Sequence, residues 1–236
     1  MIDYRGLREE AFDANMKLFE LQLVLFTFGN ASAVDRHNGV FAIKPSGVLY
    51  KDLSPEKMVI VDYNGETVSG DLRPSSDTNT HAVLYKHWTS IGGIVHTHST
   101  YATAWAQSQK DIPIMGTTHA DYLAIDVPCV PIMEDAMIEE NYEHETGVQI
   151  INYFISKSYV PTEIEMVTMS NHAPFTWGDN VAKAVHNSAL LEQIAKIAWL
   201  TKSINPQAPK LKQSLINKHF QRKHGRDAYY GQKKDK

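Results

Sequence analysis

His96-Thr97-His98 is the stretch of this 236-residue chain whose residue types point most directly to chemistry. Along an extended strand the side chains alternate between faces, so both imidazoles fall on one side and Thr97 on the other. Two imidazoles on one rigid strand are half of a transition-metal site, because Zn²⁺ favours nitrogen ligands in a tetrahedral shell. The same spacing also suits two hydrogen-bonded histidines at a strand end, and a metal would need a third ligand. His172, in Ser170-Asn171-His172-Ala173-Pro174, follows an apolar run and is a candidate. Asp77 is a possible fourth ligand, which would leave room for substrate oxygens.

Three polar, glycine-containing or serine-rich turns could hold an anion: Gly29-Asn30, Lys44-Pro45-Ser46-Gly47 and Ser75-Ser76-Asp77. Hydroxyls, an amide and free backbone N–H groups are the parts of a phosphate cradle, and the dipole of a following helix adds to it. Lys44 could contribute charge. Each turn by itself is better explained by helix capping and chain reversal than by ligand binding. There is no Walker or dinucleotide glycine pattern. Asp121, in Gly116-Thr117-Thr118-His119-Ala120-Asp121-Tyr122, is another candidate, although a turn-capping carboxylate is the commoner role for such an Asp. Without further context, Tyr229 and Tyr230 read as packing residues. His219 and His224 read as a solvated helix face with Lys218, Arg222 and Lys223.

The elements that must position these residues follow from periodicity. Leu7, Ala11, Ala14, Leu18, Leu21 and Leu25 form a helical stripe, predicting a helix from Arg5 to about Leu25 that Gly29-Asn30 ends. Strands are predicted at 31–34, 40–43, 58–62 and 66–68, with Asn64-Gly65 forming a type I′ hairpin turn between the last two. Ser54-Pro55-Glu56 starts a short helix. A helix runs from Pro74 to about Trp88, then a strand from Ile94 to His98, and then a helix to Gln107 capped by Ser99. Further strands are predicted at 112–115 and 166–169. Helices are predicted at 147–154, 181–200 and 211–224. No repeat or linker divides the chain, so residues 1–236 read as one domain with a frayed charged tail at 233–236. Strands among helices mean an α/β or α+β architecture.

Composition narrows the partners. With 43% apolar and 21% charged residues the chain can bury a sizeable core. A net charge of −4 and a pI near 6.2 supply no basic field for nucleic acid or an anionic membrane. The single cysteine, Cys129, excludes a disulfide framework and reads as a small buried hydrophobe. No signal pattern opens the chain, and the apolar run at 21–28 is too short to span a bilayer. The expected location is cytoplasmic.

Taken in order, six motifs resemble the L-ribulose-5-phosphate 4-epimerases of the class II aldolase/adducin family. They are Gly29-Asn30-Ala31-Ser32, Lys44-Pro45-Ser46-Gly47, Pro74-Ser75-Ser76-Asp77-Thr78, Gly93-Ile94-Val95-His96-Thr97-His98-Ser99, Gly116 to Tyr122, and Lys218-His219 through Tyr229-Tyr230-Gly231-Gln232. Phe28 and Ala173 depart from the family's usual tryptophan and glycine.

The resemblance implies a single three-layer α/β/α domain with a central, mainly antiparallel sheet. It also implies a homotetramer with active sites at subunit interfaces. A divalent metal, zinc foremost with Co²⁺ or Mn²⁺ possible, would be bound by His96, His98 and His172, with Asp77 at its edge. The phosphate of a small sugar phosphate would sit on Gly29, Asn30, Ser46, Gly47, Ser75 and Ser76, with Lys44 as an electrostatic contact. Asp121 of one subunit and Tyr230 of its neighbour would transfer protons, with His219 also contributed across the interface. The implied reaction interconverts L-ribulose 5-phosphate and D-xylulose 5-phosphate by breaking and remaking the C3–C4 bond. Two alternatives remain: an L-fuculose-phosphate type aldolase, and an adducin-like interaction module, which would not need an intact histidine triad.

Overall fold

A computed structural model describes residues 2–226 and 228–229. Tyr230, Gly231-Gln232 and the tail at 233–236 lie outside the described residues.

The first helix, α1 (Arg5–Glu20), buries Ala11, Ala14 and Leu18 along the predicted stripe. It stops five residues short of Leu25. Gln22 and Phe26 both take positive φ, 56° and 54°. That reversal buries Leu23 and Val24 while Leu25 and Phe26 face outward. The run at 21–28 is thus a folded loop, because its apolar residues do not share one helical face.

Eight strands follow: β1 (Asn30–Asp35), β2 (Val40–Ile43), β3 (Val59–Asp62), β4 (Thr67–Ser69), β5 (Gly93–His96), β6 (Cys129–Val130), β7 (Met166–Met169) and β8 (Pro174–Gly178). They form one sheet in the order β4-β3-β2-β1-β5-β8-β7-β6. Every neighbouring pair is antiparallel except β6 with β7.

The remaining helices are α2 (Thr78–His87), α3 (Thr100–Gln107), α4 (Thr117–Ala120), α5 (Asp135–Lys157), α6 (Val181–Ile204) and α7 (Gln213–His224). Side-chain alternation divides the core between the two sheet faces. Phe41, Ile43, Val59, Val61, Phe175 and Trp177 pack with α2 and α5. Ala31, Ala33, Ala42, Ile60 and Val95 pack against α1 and the start of α6. The architecture is the α/β fold with a central, mainly antiparallel sheet that the motifs imply. Among the described residues, no helix is long and apolar enough to cross a membrane.

Several local expectations change. The turn at Asn64-Gly65 is not type I′, since only Gly65 has positive φ (86°). Gly65 N donates to Asp62 O, and the Asp62 carboxylate accepts from Asn64 N and Glu66 N. The side chain of Asp62 therefore organises the reversal, and the pairing slips by one residue beyond it. The strand predicted at 112–115 is reduced to a single bridge, Ile112 to Val127. The segment from Pro55 to Lys57 is one 3₁₀ turn. Ser99 occupies the position before α3, but its Oγ has no partner. The first-turn N–H groups of Tyr101 and Ala102 instead donate to the carboxylate of Glu192 on α6. A cap supplied from 90 residues away leaves no local sequence signal.

Gly92 and Gly93, just before the two histidines, are required for space rather than for φ. A Cβ on Gly93 would lie 2.2 Å from Val181 Cα, and one on Gly92 2.0 Å from Asp179 O. The glycines let the first turn of α6 sit directly against β5. Gly93→Ala should therefore destabilise the protein by roughly 2 kcal/mol or more, as overpacking against backbone does. Urea unfolding checks this, and an unchanged midpoint would refute the close-approach account.

Candidate metal centre and its cleft

His96 ends β5, and sheet register places it between Asn30 on β1 and Phe175 on β8. Its ring stacks on Phe175, centroids 4.2 Å apart. His96 Nδ1 lies 3.0 Å from Pro174 O. A carbonyl can only accept, so Nδ1 carries the proton and Nε2 keeps its lone pair. That lone pair faces the cleft, with His98 Nε2 3.2 Å away. His172 arrives on the tight β7–β8 turn, where Asn171 takes φ 59° and His172 N donates to Met169 O. One ligand nitrogen from each of His96, His98 and His172 lies within 4.8 Å of the others. Three imidazoles this close, one with its tautomer fixed by a backbone carbonyl, fit a divalent transition metal.

Burial, reinforced by the His98 ring, pushes the pKa of His96 down to about 3. Burial and the other two imidazoles do the same to His172. The rings are therefore neutral at physiological pH, the form that ligates metal. Behind them His81, fully buried on α2, is also driven to about 3, mainly by burial. Its Nδ1 lies 2.7 Å from Ser32 Oγ, which is 2.8 Å from Tyr85 Oη. Tyr85 donates its proton to Ser32 O, so Ser32 donates to Tyr85 and accepts from His81 Nδ1. His81 Nε2 is left as a buried acceptor without a hydrogen-bond partner among the described residues.

The three imidazoles form one part of a cleft of about 360 Å³, which Gly29, Asn30, Lys44, Ser46, Gly47, Ser75, Ser76 and Asp77 also line. Every residue expected to hold phosphate therefore faces the same space as the expected metal ligands. Asn30 is buried, and its Nδ2 donates to Asp77 Oδ2 at 2.6 Å and to Ser75 Oγ at 3.2 Å. Lys44 is buried too, and donates to Thr27 O at 3.1 Å. Burial lowers its pKa to about 8, so it is mostly charged at pH 7. Asp77 does not join the imidazole group as a fourth close ligand. Its carboxylate is engaged by Asn30, although its charge still favours protonation of His98 and His172.

Asp121 is not among the residues lining this cleft. It sits at the end of α4 against α7, where Arg222 donates to both carboxylate oxygens at 2.9 and 2.7 Å. His219 Nδ1 lies 3.0 Å from Asp121 Oδ1. Burial pushes the Asp121 pKa up, but hydrogen bonds and charge from Arg222 and His219 prevail and hold it below the usual value. Within one chain, His219 and Asp121 are direct neighbours. Ile216 packs with Ile114 and Ala120, which brings α7 onto α4 and His219 directly onto Asp121.

The cleft also holds residues that sequence reasoning missed: Thr27, Phe28, Tyr142 and Glu143. Tyr142 and Glu143 stand in an acidic helical stretch with no motif. Phe28 stood out in the sequence only as a departure from the family's usual tryptophan beside Gly29-Asn30, not as a lining residue.

Residues 9–199 match the family model of the class II aldolase and adducin N-terminal domain. Among solved structures, the fold is similar to an L-fuculose 1-phosphate aldolase at 25% identity and TM-score 0.74, covering 91% of this chain and 94% of that one. YgbL from Escherichia coli, a candidate aldolase, epimerase or decarboxylase, is 23% identical at TM-score 0.72, covering 91% and 97%. The L-fuculose 1-phosphate aldolase of Glaciozyma antarctica is 16% identical at TM-score 0.73, covering 92% and 81%.

Two outcomes are expected. Purified protein should retain close to one equivalent of zinc after dialysis, and His96→Ala or His172→Ala should lose it while keeping native circular dichroism; equal zinc in these variants would refute the triad. The second concerns acid. Histidines with folded pKa values near 3 bind fewer protons than the unfolded chain below its pKa of about 6.5. Stability of chelator-treated protein should therefore be fully present above pH 6.5 and fall as the pH drops towards 4. Urea midpoints at pH 7.5 and 5 test this, and a midpoint that holds steady or rises would contradict it.

Proposed function

Because the chain belongs to the class II aldolase and adducin family, we propose that it is a metal-dependent sugar-phosphate enzyme, and specifically that it interconverts L-ribulose 5-phosphate and D-xylulose 5-phosphate. The reading rests on one observation: three neutral imidazoles and a set of amide, hydroxyl and backbone donors line a single cleft. One end suits a cation and the other a phosphate.

A divalent ion on His96, His98 and His172, most simply zinc with cobalt or manganese as alternatives, would supply Lewis-acid polarisation of the ketose oxygens. The remaining tasks fall to the chain. Inverting a carbon that bears a hydroxyl but no acidic proton is difficult by deprotonation alone, whereas breaking and remaking the adjacent C–C bond avoids that obstacle. The donors of Asn30, Ser46, Gly47, Ser75 and Ser76, with the charge of Lys44, keep the phosphate anchored while the aldehyde at the other end of its fragment turns its second face. Metal assistance removes the need for a Schiff-base lysine, so Lys44, which donates to two backbone carbonyls, acts in this scheme as an electrostatic contact rather than a nucleophile.

Proton transfer at the C4 oxygen needs groups on both faces. Asp121, held ionised by Arg222 and His219, suits the base. It stands outside its own chain's cleft, so this reading places it at a neighbouring copy's cleft in a homotetramer. Tyr230 is the proposed second group. Residues 1–236 act as one catalytic domain in this scheme, and neither nucleic acid nor membrane takes part.

The likeness to a fuculose-phosphate aldolase favours a second reading, in which the fragments leave instead of recombining. An aspartate at position 77, where the family resemblance implies that aldolases carry a longer glutamate, supports the epimerase. The two give different products. Incubation with L-ribulose 5-phosphate should yield D-xylulose 5-phosphate without free glycolaldehyde phosphate, and chelator should stop it. Asp121→Asn should lower kcat by about 100-fold or more. Accumulation of free aldehyde would establish the aldolase instead, and undiminished turnover in Asp121→Asn would remove that residue from the proton path.

A further inference from the structure

We propose, resting on the metal-centre reading above, that Tyr142 is a positioning residue for His172, its hydroxyl holding ring Nδ1 so that Nε2 turns towards the other two imidazoles. Tyr142 Oη lies 3.1 Å from His172 Nδ1, with the rings 5.8 Å apart.

The contact depends on a break in α5. Asn141 has φ −154° and ψ 78°, non-helical values inside a 23-residue helix. Three side chains hold the break. Asn141 Oδ1 accepts from His144 N at 3.4 Å, capping the second half of the helix. Thr80, buried on α2, donates to Glu143 O at 2.5 Å, and Thr146 donates to Tyr142 O at 2.8 Å. A kink tied to both its own helix and the neighbouring one is a built feature. Its consequence is that Tyr142 and Glu143 line the cleft.

His172 needs such a contact. The β7–β8 turn fixes its backbone, but tilted or edge contacts with the rings of His96, His98 and Phe175, centroids 4.8, 5.3 and 6.1 Å away, do not by themselves select one nitrogen. For His96 the selection is made by Pro174 O, which accepts from Nδ1. The phenol oxygen of Tyr142 is the matching acceptor for His172. Unlike a carbonyl it also has a proton to offer, and it can donate that proton into the cleft. A hydrogen-bond partner on the far nitrogen of a ligating histidine fixes its tautomer and orientation.

The test uses full-length protein, with zinc and Co²⁺ as probes, and the near-isosteric substitution Tyr142→Phe. Zinc affinity is measured by chelator competition, site geometry by the visible absorption of Co²⁺, and fold by urea unfolding of metal-free protein. Tyr142→Phe should weaken zinc binding about 10–100-fold and alter the Co²⁺ spectrum, while leaving the metal-free midpoint in place. Zinc affinity within twofold of the unsubstituted protein would overturn the proposal. So would a weakened affinity accompanied by an unchanged Co²⁺ spectrum and a matching loss of metal-free stability. Failure of the unsubstituted protein to bind zinc at all would instead overturn the metal centre itself.

Discussion

The antiparallel pairing of β1, β5 and β8 is the constraint on which the site depends. It places Asn30, His96 and Phe175 in one row across three strands. From that row the Asn30 amide, the buried imidazole and the ring supporting it have fixed separations. The glycines at 92 and 93 keep the row in place by letting α6 lie against the start of β5. The β7–β8 turn then returns the chain so that His172 meets His96, their ring centroids 4.8 Å apart. Residues 76 positions apart in sequence thus become neighbours through hydrogen-bonded backbone.

Electrostatics complete what the backbone begins. Burial keeps His81, His96 and His172 neutral, and for His96 the Pro174 carbonyl decides which nitrogen carries the proton. A neutral ring whose proton faces inward presents its lone pair outward, which is what a metal requires. The second charged centre, on α4 and α7, is balanced differently. Asp121 stays ionised because a bidentate guanidinium and an imidazole outweigh its burial. Within one chain the two centres are separate, the imidazoles in the cleft and the paired carboxylate outside it.

Much of the fold was legible where short-range periodicity controls structure. β2, β7, α6 and α7 begin or end within a few residues of expectation, because alternation or a helical stripe coincides with burial. Legibility failed where distant groups decide. The cap of α3 comes from Glu192, the kink in α5 is tied by Thr80, and β8 begins at a proline that reads as a breaker until its place at a strand start is known. The end of α1 was misread because apolar spacing continues through a loop whose direction is set by two positive-φ residues.

By itself the sequence determined the chemistry on offer: which imidazoles, amides, hydroxyls and carboxylates exist, and which stand together on a strand or turn. His96 with His98, and Ser75 with Ser76, were such local facts, since two- and one-residue spacings survive any packing. Only the tertiary structure decided which of these groups share a cavity. It joined His172 to His96 and Tyr142 to His172, turned Asp77 towards Asn30, and set His219 on Asp121. The physical reason is that helix and strand periodicities act over a few residues. Registers between strands and the approach of helices to a sheet arise from the whole chain burying its apolar surface at once.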